Sequence, residues 1–100
     1  MANLEIGQII KNRYRIDQYL GSGGMADVFR VHDLVRHTDL AIKVMKSDLS
    51  EDREFIRRFQ GEAKLLMKLQ HPNIVRLYDF GQDNNLLFMV LDFIDGQLPV

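Results

Sequence analysis

The sequence predicts an α+β fold, a five-stranded antiparallel sheet with one principal helix. Three observations lead there. Five segments of six or seven residues have the alternating or continuously apolar character of strands. A single run, between the third and fourth of them, carries helical spacing instead. Short glycine-rich or polar connections join the first strand to the second, the second to the third and the fourth to the fifth, which suits hairpins.

The composition sets the frame. With 100 residues, 46% of them hydrophobic, two prolines and 27% charged, the chain is one small packed domain and not a disordered tail. Thirteen Lys plus Arg against fourteen Asp plus Glu leave a net charge of -1, and neither sign forms a block. Nucleic acid and an anionic membrane surface are therefore not the expected partners. The absence of cysteine excludes disulfides and thiolate chemistry. The longest apolar run, Leu86 to Leu91, is six residues where a bilayer span needs about twenty, and no signal-peptide pattern opens the chain. The expectation is a soluble, cytosolic segment with no membrane contact.

The elements follow in order. Tyr14 to Leu20 alternates, with Tyr14, Ile16, Gln18 and Leu20 on one side. Gly21-Ser22-Gly23-Gly24 turns the chain into a second strand, Asp27 to His32. A polar interval closes at Thr38-Asp39 before the strand Leu40 to Met45, interrupted by one lysine, Lys43. Ser47 to Ser50 reads as a turn and N-cap, with Glu51, Asp52 and Glu54 near the start of a helix reaching Gln70. Phe55, Phe59, Leu66 and Leu69 recur along it, widened by Ala63 and Leu65; Gly61 costs about 1 kcal/mol relative to alanine, so packing must hold this helix. Pro72 stops it. Ile74 to Phe80 and Leu86 to Leu91 flank a five-residue hairpin connection, Gly81 to Asn85, and the residues from Asp92 read as a linker severed partway.

Three features bear on chemistry. Glycines 21, 23 and 24 let backbone N–H groups approach an anion, although the same four residues serve equally as a flexible hairpin; neither a P-loop nor a dinucleotide fingerprint is present. Lys43 lies in an apolar strand, either on a solvated face or beside a partner. With Glu62 at 0° and about 100° per residue, Leu69 falls near −20°, Phe55 near 20°, Leu66 near 40° and Phe59 near 60°, which puts Glu62 inside the apolar stripe. A carboxylate there needs a cation, and Lys43 is on the preceding strand. The pair suits holding an ammonium against nucleotide phosphates, and it would equally serve as a structural ion pair, or Glu62 could reach solvent at a helix edge.

Leu20-Gly21-Ser22-Gly23-Gly24-Met25-Ala26-Asp27-Val28-Phe29, Ala41-Ile42-Lys43, Arg58 to Ala63, His71 to Val75 and Phe88 to Gly96 together resemble, in order, the N-terminal lobe of a eukaryotic-type serine/threonine protein kinase, the bacterial branch above all. The resemblance runs from Tyr14 to Gly96. It implies the strand order 1-2-3-5-4 and a division into an N-terminal extension (1–12), the lobe (13–91) and a hinge with the start of a linker (92–100). It also implies ATP as ligand, with Gly21, Ser22, Gly23, Gly24, Met25 and Ala26 as the phosphate lid. Leu20, Val28 and Ala41 would lie against the adenine, Leu91 at the gatekeeper position, and the backbone of Asp92 and Ile94 at the adenine edge. Lys43 would position the α- and β-phosphates and Glu62 would hold Lys43 as the catalytic pair, although in inactive members the helix swings outward. Leu66 and Leu77 would belong to the internal hydrophobic spine. Ala26 stands where many members have a third glycine.

The family's catalytic loop, metal-binding motif and activation segment are not among these residues. The resemblance thus puts the Mg²⁺ ligands and the catalytic base in a second lobe, with a protein substrate met by the longer protein. The hundred residues alone are expected to be inactive and, through an apolar underside around Leu66, Leu69 and Leu77, to form a homodimer. A nucleotide-sensing pseudokinase and a small self-associating interaction domain are the alternative readings.

Overall fold

The computed structural model describes residues 4–22, 26–45, 52–68, 76–83 and 86–93. The strands are β1 (Ile9–Ile10), β2 (Tyr14–Ser22), β3 (Ala26–Asp33), β4 (Thr38–Met45), β5 (Leu77–Asp83) and β6 (Leu86–Asp92), with one helix, α1 (Arg53–Lys68), between β4 and β5. All pairings are antiparallel and the order is β1-β2-β3-β4-β6-β5. The expected α+β architecture and strand order are present, with a sixth strand added at one edge. That strand is the end of the N-terminal segment: Lys11 and Asn12 both take left-handed backbone (φ 56° and 55°), and the chain folds back so that Ile10 pairs with Tyr14.

Residues two apart along each strand share a face. Tyr14, Ile16, Phe29, Val31, Leu40, Ile42, Val44, Phe88 and Val90 enclose one core together with Ile10. The opposite face carries Ala26, Met45 and Leu87 under Phe59, and Leu77 and Leu91 under Ala63.

The two edges of the sheet meet through side chains. Tyr14, 1% exposed, donates its hydroxyl to Asp79 Oδ2 at 2.7 Å, and Lys11 Nζ reaches the same carboxylate at 3.2 Å. The Lys11 amide donates to Asp83 Oδ2 at 2.7 Å. Burial and the Asp79 bond both raise the Tyr14 pKa and keep its proton in place. A second tie joins turns: Arg13 clasps the fully buried Asp33 with two bonds of 2.9 Å, while the Val35 and Arg36 amides donate to the same Oδ1.

Several expectations need correction. Gly81, Gln82 and Asp83 are strand and not loop, paired with Phe88, Leu87 and Leu86. Gly81 has the Phe88 ring 3.4 Å from where a Cβ would stand, and Asp83 is held by Lys11. The helix cap is Asp52, whose Oδ1 accepts from the Glu54 and Phe55 amides at 3.0 and 3.1 Å. The expected cap at 47–50 and the helix stop around Pro72 lie outside the described residues. Leu65, expected to widen the buried face, is 64% exposed. Leu77, expected on an open underside, is buried against Ala63 and Leu91.

Two outcomes follow from these ties. Asp79→Ala leaves the buried Tyr14 hydroxyl without its acceptor and should cost about 1–3 kcal/mol in urea unfolding, whereas Lys11→Ala, removing a half-exposed ammonium, should cost under about 1 kcal/mol. Burial alone would raise the Asp33 pKa, but Arg13 and the two amides outweigh it and hold the carboxyl at about 2. That depression from the ordinary 3.8 is worth about 2 kcal/mol, present above about pH 4 and lost as pH falls through about 2. The stability gap between wild type and Arg13→Ala should accordingly shrink over that window; a constant gap would contradict the assignment.

Candidate functional site

On the face that carries α1, the pairing of β3, β4 and β6 lines up two cross-strand rows. Val28 on β3, Lys43 on β4 and Met89 on β6 form one, and Arg30, Ala41 and Leu91 form the next. Val28, Ala41 and Leu91 are buried, and Lys43 is half-buried among them. A strip of apolar side chains with the Lys43 ammonium between Val28 and Met89, and the half-buried Arg30 guanidinium in the next row, suits a flat apolar ring followed by anionic groups. The strip exists because β3, β4 and β6 pair in uninterrupted antiparallel register, which lines up residues far apart in sequence.

The glycine-rich segment lies at the open end of β2 and β3. Tyr19 pairs with Phe29 and Gly21 with Val28, so Leu20 is the extra residue of a β-bulge, half-buried beside the strip. Ser22 pairs with Asp27. Gly23, Gly24 and Met25 lie outside the described residues, as does Ile94. Ala26 is buried against Met45, Phe59 and Leu87, a position where a larger side chain would displace the helix.

Glu62 departs from expectation. It is exposed, and among the described residues no ion pair joins it to Lys43. On the helical wheel the covered positions Phe55, Phe59, Ala63 and Ile56 fall at about 20°, 60°, 100° and 120°, so the packed face centres about 75° away from Glu62. The contact line runs through Phe59, which packs on Ala26, Met45 and Leu87, and Ala63, which packs on Leu77 and Leu91. Leu66 and Leu69 side chains lie outside what is described.

A different cluster was not visible in the sequence. Asp17, His32 and Asp39 bring ligand atoms within 4.8 Å of one another. His32 and Asp39 are cross-strand partners with Nδ1 and Oδ1 2.9 Å apart, and Asp17 joins them because it is the extra residue of a second bulge in β2. The Asp17 carboxylate is already paired to Arg15 Nε at 2.8 Å, which lowers its pKa. Mg²⁺ prefers an all-oxygen octahedron, so an imidazole and a carboxylate bound to guanidinium do not fit it. Only the bulge and the cross-strand register create this juxtaposition, and neither has a local sequence signal.

Among the described residues no helix is long and apolar enough to cross a membrane. Comparison with known proteins places these observations. Residues 14–99 match the model of the protein kinase domain. The chain is 41% identical over 91 residues to the serine/threonine-protein kinase PrkC of Bacillus subtilis, covering 91% of this chain and 14% of that protein. It is 42% identical over 94 residues to the probable serine/threonine-protein kinase PknB of Lactococcus lactis, with 93% and 15% covered. The chain thus spans about one seventh of the length of these relatives. Among solved structures, the PknI kinase domain of Mycobacterium tuberculosis superposes with a TM-score of 0.82 at 30% identity, over 92% of this chain and 37% of that one. A fold with this strand order and a sequence match across residues 14–99 lead to one conclusion: the chain belongs to the protein kinase family, of whose kinase domain it is the N-terminal lobe.

Proposed function

We propose that these residues form the ATP-binding lobe of an enzyme that transfers the γ-phosphoryl group of ATP to a serine or threonine hydroxyl of a protein. The observation that carries the reading is the strip of Val28, Ala41 and Leu91 with Lys43 among them, in a chain whose relatives are serine/threonine-protein kinases. The adenine lies against Leu20, Val28, Ala41 and Leu91, and its edge meets the backbone of Asp92 and Ile94. Lys43 binds the α- and β-phosphates, and the amides of residues 21–26 cover the β- and γ-phosphates. In the transfer, the acceptor oxygen bonds to the γ-phosphorus as the bond to the β,γ-bridging oxygen breaks and ADP leaves. The acceptor proton goes to a base outside these hundred residues, which on their own transfer nothing.

Glu62 takes part after α1 turns on its axis toward Lys43. The arrangement described here is then an open one, in which Lys43 is not yet held. Few side chains of the described helix are buried, Phe59 and Ala63, so reorientation disrupts little packing.

Transfer by the full-length protein from Mg²⁺-ATP to a protein acceptor tests this reading. Lys43→Met should lower the rate by about 10² to 10³-fold, the scale for losing one electrostatic contact to transferring charge. Glu62→Ala should leave the nucleotide-free unfolding free energy within about 0.5 kcal/mol, because the side chain is exposed, yet lower turnover by at least about tenfold. Retained nucleotide binding with no lysine-dependent transfer would favour a noncatalytic nucleotide sensor instead.

A further inference from the structure

At the end of β6 the sheet ladder is irregular in an informative way. Two facing residues of an antiparallel hydrogen-bonded pair normally exchange both bonds, each amide donating to the other's carbonyl. Asp92 and Arg76 do half of this: the Asp92 amide donates to the Arg76 carbonyl at 3.1 Å. The Arg76 amide, however, donates to the Asp92 side chain, Oδ2, at 3.2 Å. The carboxylate thus occupies the place in the ladder that the Asp92 carbonyl would have filled.

The carboxylate is itself held. Tyr78 on β5 faces it, and the Asp92 carboxylate is the first cause of that tyrosine's raised pKa. The Tyr78 ring is fixed in turn by two guanidinium groups, Arg36 and Arg76, each 4.9 Å from its centroid. Arg36 comes from the β3–β4 turn, whose amides are tied to the buried Asp33.

We propose that Asp92 is a positioning residue for base recognition: its carboxylate takes the Arg76 amide so that its own carbonyl is left to accept a hydrogen bond from the exocyclic amine of a 6-aminopurine, and Tyr78 keeps the carboxylate there. The inference rests on the nucleotide reading above and adds a physical source of base selectivity to it. A 6-oxopurine presents an acceptor where the 6-aminopurine presents a donor, so the carbonyl discriminates between them. Without the carboxylate the Arg76 amide returns to the carbonyl and the discrimination is lost.

Dissociation constants of the full-length protein for Mg²⁺-ATP and Mg²⁺-ITP test it. Wild type should prefer ATP by roughly 3- to 10-fold, the scale of one net hydrogen bond. Asp92→Ala should bring the ratio to within about twofold of unity by weakening ATP and leaving ITP unchanged. Asp92→Asn, which keeps an oxygen for the Arg76 amide, should retain the preference. Tyr78→Phe, which keeps the ring between its two arginines and loses only the hydroxyl, should reduce the preference in part; if Asp92→Ala does not fold, this variant decides. An unchanged ratio in the deciding variant, an equal loss for both nucleotides, or no ATP preference in wild type would overturn the proposal. Failure of wild type to bind either nucleotide would sink the nucleotide reading and this inference with it, an outcome distinguishable because it appears before any Asp92 substitution is made.

Discussion

The carboxylate of Asp79 closes the sheet. It sits on β5, one edge of the sheet, and accepts from Tyr14 on β2 and Lys11 in the turn that follows β1, the other edge. A flat sheet of six strands would leave one apolar face open to water, with no second layer in the described chain large enough to cover it. Curling until the edges meet turns that face inward upon Ile10, Tyr14 and Phe88. The bond also solves a local problem, because a buried tyrosine hydroxyl without an acceptor is destabilising by itself. Arg13 and Asp33 reinforce the closure by fastening the β1–β2 turn to the β3–β4 turn.

Once that face is closed, the other is divided between two occupants. The helix covers β5, β6 and the end of β4 through Phe59 and Ala63, and the strip runs from Leu91, which it shares with the helix, across Ala41 and Lys43 to Val28. The division keeps a lysine in an apolar setting without sealing it off, as a half-buried ammonium needs a partner but not a permanent one. Glu62 turned to solvent and Lys43 without an ion pair to it are two sides of one arrangement, since the contact line through Phe59 and Ala63 determines where the glutamate points.

Much of this was legible in the sequence where local pattern and tertiary role coincide. The strands at Tyr14, Asp27, Leu40 and Leu86 alternate or run apolar because both sheet faces are packed, and Ala41 and Lys43 fall on β4 as that pattern implies, whereas Gly21, expected in the turn, pairs with Val28 at the end of β2. What escaped depends on contacts between distant segments. β1 is two residues long and exists because Lys11 is anchored by Asp79 and Asp83, some seventy residues away. The extra strand length at Gly81 lies against the Phe88 ring of its cross-strand partner, a contact that no local pattern announces. The orientation of α1 does not follow from apolar size, because the small Ala63 is buried against Leu77 and Leu91 while the large Leu65 is exposed. The role of the Asp92 side chain is invisible in sequence, since it consists of replacing a backbone acceptor.

The account stands on Lys43 being the group that meets nucleotide phosphates, and chemical labelling reads that contact directly. An acyl phosphate of ATP delivers its acyl group to a lysine amine lying against the phosphate chain, with release of the nucleotide. Treating the full-length protein with this reagent and mapping the modified peptides should find Lys43 acylated, with the modification suppressed by excess ATP. Acylation of Lys43 that excess ATP leaves unchanged, or ATP-sensitive acylation at Lys11 or Lys64 with Lys43 unmodified, would contradict it.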